Sequence, residues 1–348
     1  MSGKVFGHLE QLLLKIWYRK NYWYIIFLPF SGLFFALILI RKSLFKKLSK
    51  SLYQPPCPVI IVGNITVGGT GKTPFIIWLA NYLTAKNLKV AILIRGYGGK
   101  IKGMPIEVSK NSDVDIVGDE SIMIATKTNC VVMVHPDRNL SCEYLSKRKI
   151  DLIICDDGLQ YYMLKRDYEI AIIDHKRLFG NGQLLPAGPL REPISRLKNV
   201  NLELSQIGIP SDKGNHENAY TNINTFYLNG DIAVNIDTGE RKLLSEFMNN
   251  KVHAVAGIGN PARFFNLLER KKLSIEKHYF RDHQKYSLDD LSFNDDLDIL
   301  MTEKDAVKCK KFKNGRLWYV PVDLMFDGNH QTWLIDIVNL VKKRETDD

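Results

Sequence analysis

Cysteine is sparse and unpaired in this chain. Five residues in 348 (Cys57, Cys130, Cys142, Cys155 and Cys309), odd in number and never spaced as CxxC, exclude a disulfide framework or a zinc ribbon and fit a reducing cytoplasm. No internal repeat of fixed period and no low-complexity tract occurs, which excludes a solenoid or a linker-like chain. With 45% hydrophobic and 25% charged residues, the protein is neither disordered nor collagen-like, and its length suits one large domain or two medium ones. Positive charge is also scarce where a nucleic-acid protein would need it. Of the net charge of +10, residues 1–50 supply +8, from nine Lys/Arg against the single acid Glu10. The near-balanced remainder tells against nucleic acid as a partner.

That basic segment encloses an uncharged run, Asn21 to Ile40, close to the roughly 20 residues a helix needs to cross a bilayer. Ahead of it, Leu9, Leu12, Leu13, Ile16 and Trp17 recur at helical spacing beside Lys15, Arg19 and Lys20, the pattern of a helix lying among lipid headgroups. Pro29, Ser31 and Gly32 break the middle of the run and both flanks are basic, so a full span and a re-entrant or interfacial hairpin both fit and neither orientation is favoured. The bland alternative is a buried helix pair inside a soluble fold. A late start, with Arg41 and Lys42 following the run, argues against a cleaved signal peptide.

From residue 57 short β-rich runs alternate with helical stretches, the rhythm of an α/β domain. Val59 to Val62, Lys89 to Ile94, Cys130 to Val134, Leu152 to Cys155 and Glu169 to Ile173 are near-continuously apolar, which predicts a parallel sheet covered on both faces. In such sheets ligands bind beyond the carboxyl ends of the strands. A polar stretch follows, containing TFYLNGDIAVNI with Asn229 and Gly230 at a hairpin-type turn. Strands are then expected at Val252 to Ala256, Asp298 to Met301 and Leu317 to Val320, with a closing helix from Trp333 to Lys343. The expected fold class is α/β: a P-loop NTPase-like parallel sheet domain with an N-terminal membrane-associated helical segment and a smaller C-terminal α/β lobe. Its expected divisions are 1–54 membrane-associated, 55–204 P-loop domain, 205–245 β-rich connector and 246–348 C-terminal lobe.

The sharpest motif follows the first strand: Val62-Gly63-Asn64-Ile65-Thr66-Val67-Gly68-Gly69-Thr70-Gly71-Lys72-Thr73-Pro74. A strand, a glycine loop, Lys-Thr and a helix form the setting of a phosphate-binding loop. Its amides would curl around phosphate oxygens at a helix N-terminus, Lys72 would bridge the terminal phosphates and Thr73 would face magnesium. Thr66 stands where the strict pattern has its first glycine; otherwise Thr66, Gly68, Gly69, Thr70, Gly71, Lys72 and Thr73 make up the nucleotide-binding set. Asp151 to Gly158 adds an apolar strand ending in Asp156 and Asp157, acids suited to hold magnesium or its waters. A turn cap would explain Asp156 alone. Arg95-Gly96-Tyr97 and His135-Pro136-Asp137-Arg138 lie at other strand tips, Gly118-Asp119-Glu120 between them, and Arg191 in a proline-rich loop. Arginines converging on a phosphate pocket bring forked donors to anionic groups, although each could singly be an ordinary solvated residue.

Together VGNITVGGTGKTP, RGYGG, GDE, HPDR, DDGLQ, NGQLLPAGPLREP, GIGNPARFF, RDHQKY and MTEKDAVK resemble the tetraacyldisaccharide 4'-kinase family, inner-membrane kinases of lipid A biosynthesis, over essentially the whole chain. The resemblance implies ATP and Mg2+ as cofactors and a tetraacylated glucosamine disaccharide 1-phosphate lipid as acceptor, phosphorylated on its 4'-hydroxyl to form lipid IVA at the cytoplasmic face of the bacterial inner membrane. No nucleic acid and no obligate protein partner is implied. Position by position, Lys72 and Thr73 match nucleotide and magnesium residues, and Asp156 and Asp157 the strand-tip acids. Asp119 matches the family's proposed general base, His283 the histidine that orients or tunes it, and Glu120 a neighbouring metal-site acid. Tyr97, Arg138, Gln160 and Arg191 match residues around the substrate cleft. The chain departs from the family at Tyr161 and Gln284, where histidines are common; the first puts a catalytic role at that position in doubt, and the second leaves His283 as the one histidine available.

Two other classes compete. A membrane-associated P-loop ATPase or GTPase would need no small-molecule acceptor, but the guanine motif NKxD of a GTPase is missing: Asn250-Lys251-Val252-His253 lacks the Asp. A binding protein with a degenerate nucleotide site would have lost its strand-tip acids, which are present.

Overall fold

The computed structural model of the chain describes residues 12–19, 21–47, 53–96, 101, 103–208, 224–327 and 331–347. Residues 12–18 are helical; Leu9, expected on the same stripe, lies outside the described residues. Ile16 and Trp17 are buried against the protein itself, not presented to lipid as the stripe predicts. Trp17 Nε1 donates to the Pro186 carbonyl at 2.9 Å, and the Trp17 carbonyl accepts from Asn181 N at 2.8 Å.

The apolar run is one continuous rod, a 3-10 turn over Trp23–Phe27 leading into helix α1, Leu28–Lys47. Pro29, Ser31 and Gly32 do not interrupt it as expected. Pro29 falls in the first turn, where no intrahelical partner awaits its missing N–H, and Ser31 turns inward, donating to the Leu184 carbonyl at 2.8 Å and accepting from Ala187 N at 3.0 Å. The stretch Trp23–Phe45 has mean hydropathy 2.3 and is long and apolar enough to cross a membrane. Phe30, Leu33, Leu37 and Ile40 are each more than half exposed, an apolar face far larger than a water-facing helix normally carries.

The first lobe follows in α/β order: β1 (Val59–Gly63), α2 (Lys72–Thr84), β2 (Val90–Ile94), β3 (Ile106–Glu107), α3 (Val114–Val117), α4 (Asp119–Lys127), β4 (Val131–Val134), α5 (Arg138–Leu145), β5 (Leu152–Asp156), β6 (Tyr168–Asp174), β7 (Leu202–Gln206) and β8 (Asn224–Asn229). The five strands expected here all form. β1 lies between β5 and β6, parallel to both, so the carboxyl ends of β1, β5, β2 and β6 meet where the strand order reverses. Ile60 and Val62 face one core, Val59 and Ile61 the other, which is why these strands read as unbroken apolar runs.

The second lobe comprises β9 (Ile232–Asn235), β10 (Arg241–Leu243), β11 (Lys251–Ala256), α6 (Pro261–Arg270), β12 (Ser274–Tyr279), β13 (Ile299–Thr302), α7 (Glu303–Cys309) and β14 (Leu317–Val320). Its sheet order is β10-β9-β14-β13-β11-β12. The chain then returns to the first lobe as β15 (Asp323–Phe326), antiparallel to β8, and α8 (Trp333–Asp347), whose Trp333, Leu334 and Ile337 pack in the same core as Phe75 and Leu79 of α2.

The expected hairpin at Asn229-Gly230 does not form. β8 pairs with β7 and β15 in the first sheet, whereas β9 pairs with β10 and β14 in the second. The turn residues are a crossing between lobes, and the stretch read as one connector over 205–245 is divided between two sheets. β14 to β15 crosses back beside it; a Cβ on Gly230 would stand 2.9 Å from the Pro321 carbonyl. Local sequence encodes a reversal; only the partners available to each strand decide which sheet it joins.

The loop after Leu178 flanks the phosphate-type loop. Val67 N donates to the Pro189 carbonyl at 2.8 Å and Arg191 N to the Ile65 carbonyl at 2.7 Å. Gly188 is required at its tightest point, where a Cβ would overlap the Gln183 carbonyl and the Asn181 side chain. Gly188→Ala is expected to cost about 1–3 kcal/mol, the usual penalty of overpacking, and to weaken nucleotide binding as Arg191 shifts. Thermal denaturation and nucleotide titration measure both; an unchanged melting temperature counts against this packing.

Candidate active site

One cleft of about 1810 Å³ runs between the lobes and along the N-terminal helices. Its floor is the loop after β1. Gly68 and Gly71 take φ of 106° and 91°, left-handed conformations that glycine adopts without a Cβ penalty, and Gly71 leads into α2. Gly68, Gly69, Thr70, Gly71, Lys72 and Thr73 all line the cleft. Thr66 does not: it is buried, bridged to Leu190, with its carbonyl taken by Asn64 Nδ2 at 2.8 Å. It shapes the loop from behind. Asn64, unremarked in the sequence, also accepts from Lys72 Nζ at 3.0 Å.

Asp156 and Asp157, both at the tip of β5, have opposite environments. Asp157 is 3.3 Å from Lys72 Nζ and accepts Arg191 Nη1 on its two oxygens at 3.0 and 2.8 Å. Burial raises its pKa, but these two cations outweigh burial and hold the carboxyl well below the usual range. Asp156 is 4% exposed and its Oδ1 has no hydrogen-bond partner. Burial first, then the charge of Glu120, push it up to about 7 against the opposing pull of Lys72. An orphaned buried carboxylate oxygen, with a second acid and the Thr73 hydroxyl on the same cleft wall, is the donor set a hard divalent cation requires.

Arg138, expected to meet substrate, is buried and donates Nη2 to the carbonyls of Asp156 and Asp157 at 2.7 and 3.1 Å. It lines the cleft while holding the strand tip. Tyr161 lies under its guanidinium, 5.0 Å from carbon to ring centroid, and donates to Asp137 Oδ1 at 2.9 Å, so at that position a ring with a hydroxyl supports Arg138. Gln160 donates to the Asn64 carbonyl at 3.2 Å and to Glu192 at 3.1 Å. Tyr97 lies outside the described residues.

The second lobe supplies the opposite wall. His283, at φ 58°, a conformation costing of order 1–3 kcal/mol outside glycine, points Nδ1 at Asp119 Oδ1, 3.1 Å away. Asp119 is the first residue of α4 and only 3% exposed; His283 lines the cleft and Asp119 stands behind it. Burial raises the Asp119 pKa, yet the hydrogen bond from His283 and the charges of Lys304, His283 and Lys308 bring it down to about 2. Burial opposes protonation of His283, and the Asp119 hydrogen bond reverses that, raising its pKa overall. Gln284 turns away to the Lys285 carbonyl.

Lys304, singled out only as part of TEKDAVK, proves central: its Nζ meets Glu120 at 3.0 Å and Asp282 at 2.9 Å. Thr302 caps α7, accepting from Asp305 N, and so sets Lys304 toward the cleft. A second clasp joins Asp174, at the tip of β6, to Asn260 at 3.1 Å and Arg263 at 2.5 Å. Asp174 carried a readable signal, an acid closing an apolar strand. Its partners, 86 and 89 residues away, carried none.

A phosphate-cradling loop at a sheet switch point, paired strand-tip acids and a second lobe facing them define a P-loop nucleotide-binding protein of two α/β lobes. A family model described as tetraacyldisaccharide-1-P 4'-kinase matches residues 23–339. The tetraacyldisaccharide 4'-kinase of Nitrosococcus oceani is 39% identical over 97% of each chain, and that of Methylobacillus flagellatus is 45% identical over 90% of this chain and 92% of its own. The crystal structure of "apo" form LpxK from Aquifex aeolicus in complex with ATP superposes with a TM-score of 0.73 at 28% identity, covering 91% of this chain and 99% of that one. The chain belongs to the tetraacyldisaccharide 4'-kinase family.

The two acids of β5 predict a pH dependence. Folded Asp156 keeps its proton to about pH 7, whereas an unfolded aspartate loses it near 3.9. Between these values the folded state binds more protons, so stability without a bound cation falls as pH rises through that window. A cation held by Asp156 would displace the same proton. Cation-dependent nucleotide affinity is therefore expected to rise about fivefold from pH 6 to 7 and about tenfold in all by pH 8, where it levels off. Titration of a fluorescent ATP analogue measures this, and an equally steep slope in Asp156→Asn would remove Asp156 from the explanation.

Proposed function

We propose that this chain transfers the γ-phosphate of ATP to the 4'-hydroxyl of a tetraacyldisaccharide 1-phosphate, the step that forms lipid IVA in lipid A biosynthesis. The observation that carries the reading is that one cleft is shared by two chemistries. Gly68 to Thr73 form its floor, while Leu13, Leu14, Trp17, Phe34, Leu37 and Ile38 line the same cavity. A hydrolase acting on nucleotide alone has no use for an apolar wall continuous with a membrane-type helix.

The amides of residues 68–73 and the N-terminus of α2 receive the phosphates, with Lys72 directed to the terminal ones. Arg191 shares Asp157 with Lys72, so the lysine is held in place before nucleotide arrives and part of its attraction is already compensated. Asp156, Glu120 and Thr73 are the residues to hold Mg2+, with Asp157 beside them. When bound, Mg2+ neutralises charge on the β- and γ-phosphate oxygens. Asp119 stays ionised and fixes His283 on the cleft wall, and the pair takes the proton of the sugar hydroxyl as the phosphoryl group moves. Because Asp119 comes from the first lobe and His283 from the second, lobe closure completes the base. Gln160 and Arg191 border the acceptor side, with Arg138 supporting the strand tip. The division of labour is then 1–54 for lipid contact, 55–204 for nucleotide, and the lobe built around 246–320 for closure. We place the enzyme at the cytoplasmic face of the bacterial inner membrane, where α1 meets lipid, the basic flanks meet anionic headgroups and ATP is supplied.

The test is a mass-resolved transfer assay with γ-labelled ATP, Mg2+ and the tetraacylated disaccharide 1-phosphate in detergent micelles. Label is expected on the lipid's 4'-position and is lost in Lys72→Ala. ATP cleavage at equal rates with and without lipid, and no labelled lipid, would sink the kinase reading. Asp119→Ala is expected to lower transfer by about 10²–10⁴-fold with ATP binding kept, measured by nucleotide titration.

A further inference from the structure

Away from the cleft, the edge of the second sheet gathers three groups that nothing above uses. His253 on β11 stands in register with Glu276 of the parallel strand β12, and His278, two residues on from Glu276, shares its face. One nitrogen from each imidazole and one Glu276 oxygen all lie within 4.8 Å of one another. We propose that His253, His278 and Glu276 form a second metal site, for a divalent ion of the zinc class, that fastens edge strand β12 to β11.

The chemistry of the donors supports a metal over a chance cluster. His253 Nε2 is 2.9 and 3.1 Å from the two oxygens of Asp295, so it carries the proton and donates to the carboxylate. That leaves the lone pair of His253 Nδ1 facing His278 Nε2 at 2.9 Å. A carboxylate that fixes a histidine tautomer from behind is the usual outer partner of a metal-binding imidazole. Phe293 stacks on both rings, at 3.9 and 4.2 Å between centroids, and holds their planes.

Burial, then the neighbouring His253, lower the pKa of His278 and favour the neutral form that binds metal. Glu276 and Asp295 offset a dication's positive charge; Lys251, 2.6 Å from Glu276, competes for one of its oxygens. Two nitrogens on one tetrahedral zinc lie ~3.3 Å apart, from metal–nitrogen distances of ~2.0–2.1 Å, so loading parts the rings by a few tenths of an ångström. Glu276 and Asp295 are each nearly half exposed, which leaves an entry path from solvent. From His278 the chain runs through Tyr279, the last residue of β12, to Asp282 and His283, so the ion would brace the strand that delivers the cleft histidine.

The experiment uses the full-length protein in detergent with Asp156→Asn as background, which removes the strand-tip acid best placed to hold a cation at the nucleotide site. Zn2+ is titrated by calorimetry, and Co2+ is followed by its visible absorption. One equivalent is expected to bind, about 100-fold or more weaker in His278→Ala and about 10–100-fold weaker in Asp295→Asn, with Zn2+ raising the melting temperature only where the site is intact. If His278→Ala melts early without metal, Glu276→Gln and His278→Gln make the same comparison. Equal Zn2+ affinity in the histidine variants, or no stoichiometric binding at all, would overturn the proposal and leave a hydrogen-bonded histidine pair.

Discussion

The cleft depends on how two adjacent carboxylates at the tip of β5 divide the available positive charge. Lys72 and Arg191 both settle on Asp157, whose φ of 48° swings it toward them. Asp156, one residue earlier, is left buried with an oxygen unpaired. A buried charge without a partner is costly. The strand tip is therefore poised for a cation, and the surrounding structure keeps it so: Arg138 holds both carbonyls and Tyr161 holds Arg138.

The same electrostatic logic joins the lobes. Among the described residues, several interlobe contacts at the cleft pair opposite charges or a charge and a dipole: Asp119 with His283, Glu120 with Lys304, Asp174 with Arg263, and Arg177 with the Gly259 carbonyl at 3.0 Å. Gly259 itself lies over the phosphate loop; a Cβ there would stand 2.5 Å from Gly69 N. Polar contacts of this kind exchange readily for water or substrate. The chain passes between the lobes at two neighbouring crossings, 229–232 and 320–323.

The N-terminal helices and the phosphate loop are joined by the loop of residues 178–193. One side of it receives Ser31 and Trp17 from the N-terminal helices, and the other pairs with Ile65 and Val67 and carries Arg191. Lys42 reaches Glu192 at 2.9 Å, next to that arginine. Packed backbone thus connects α1 to the residue that shares Asp157 with Lys72.

Wherever function rests on local order, the sequence alone was enough. The β1 strand, its glycine loop and α2, the apolar strand ending in Asp156 and Asp157, and the long uncharged run near the N-terminus each declare themselves through periodicity, glycine placement or hydropathy over a dozen or two residues. Motif order carried the family. Tertiary structure decided what depends on partners distant in the chain. Asn229-Gly230 reads as a hairpin turn, yet its two strands join different sheets because their free edges lie in different lobes. Arg138 reads as a cleft arginine and lines the cleft, and only the structure shows that it also holds the Asp156 and Asp157 carbonyls. Asp119 and His283 were matched by family resemblance; that the histidine, not the aspartate, faces the cleft follows from the burial of Asp119 itself behind it. Lys304 owes its role to acids 184 and 22 residues away. Charge pairing of that kind is set by distance in space, which no linear pattern encodes.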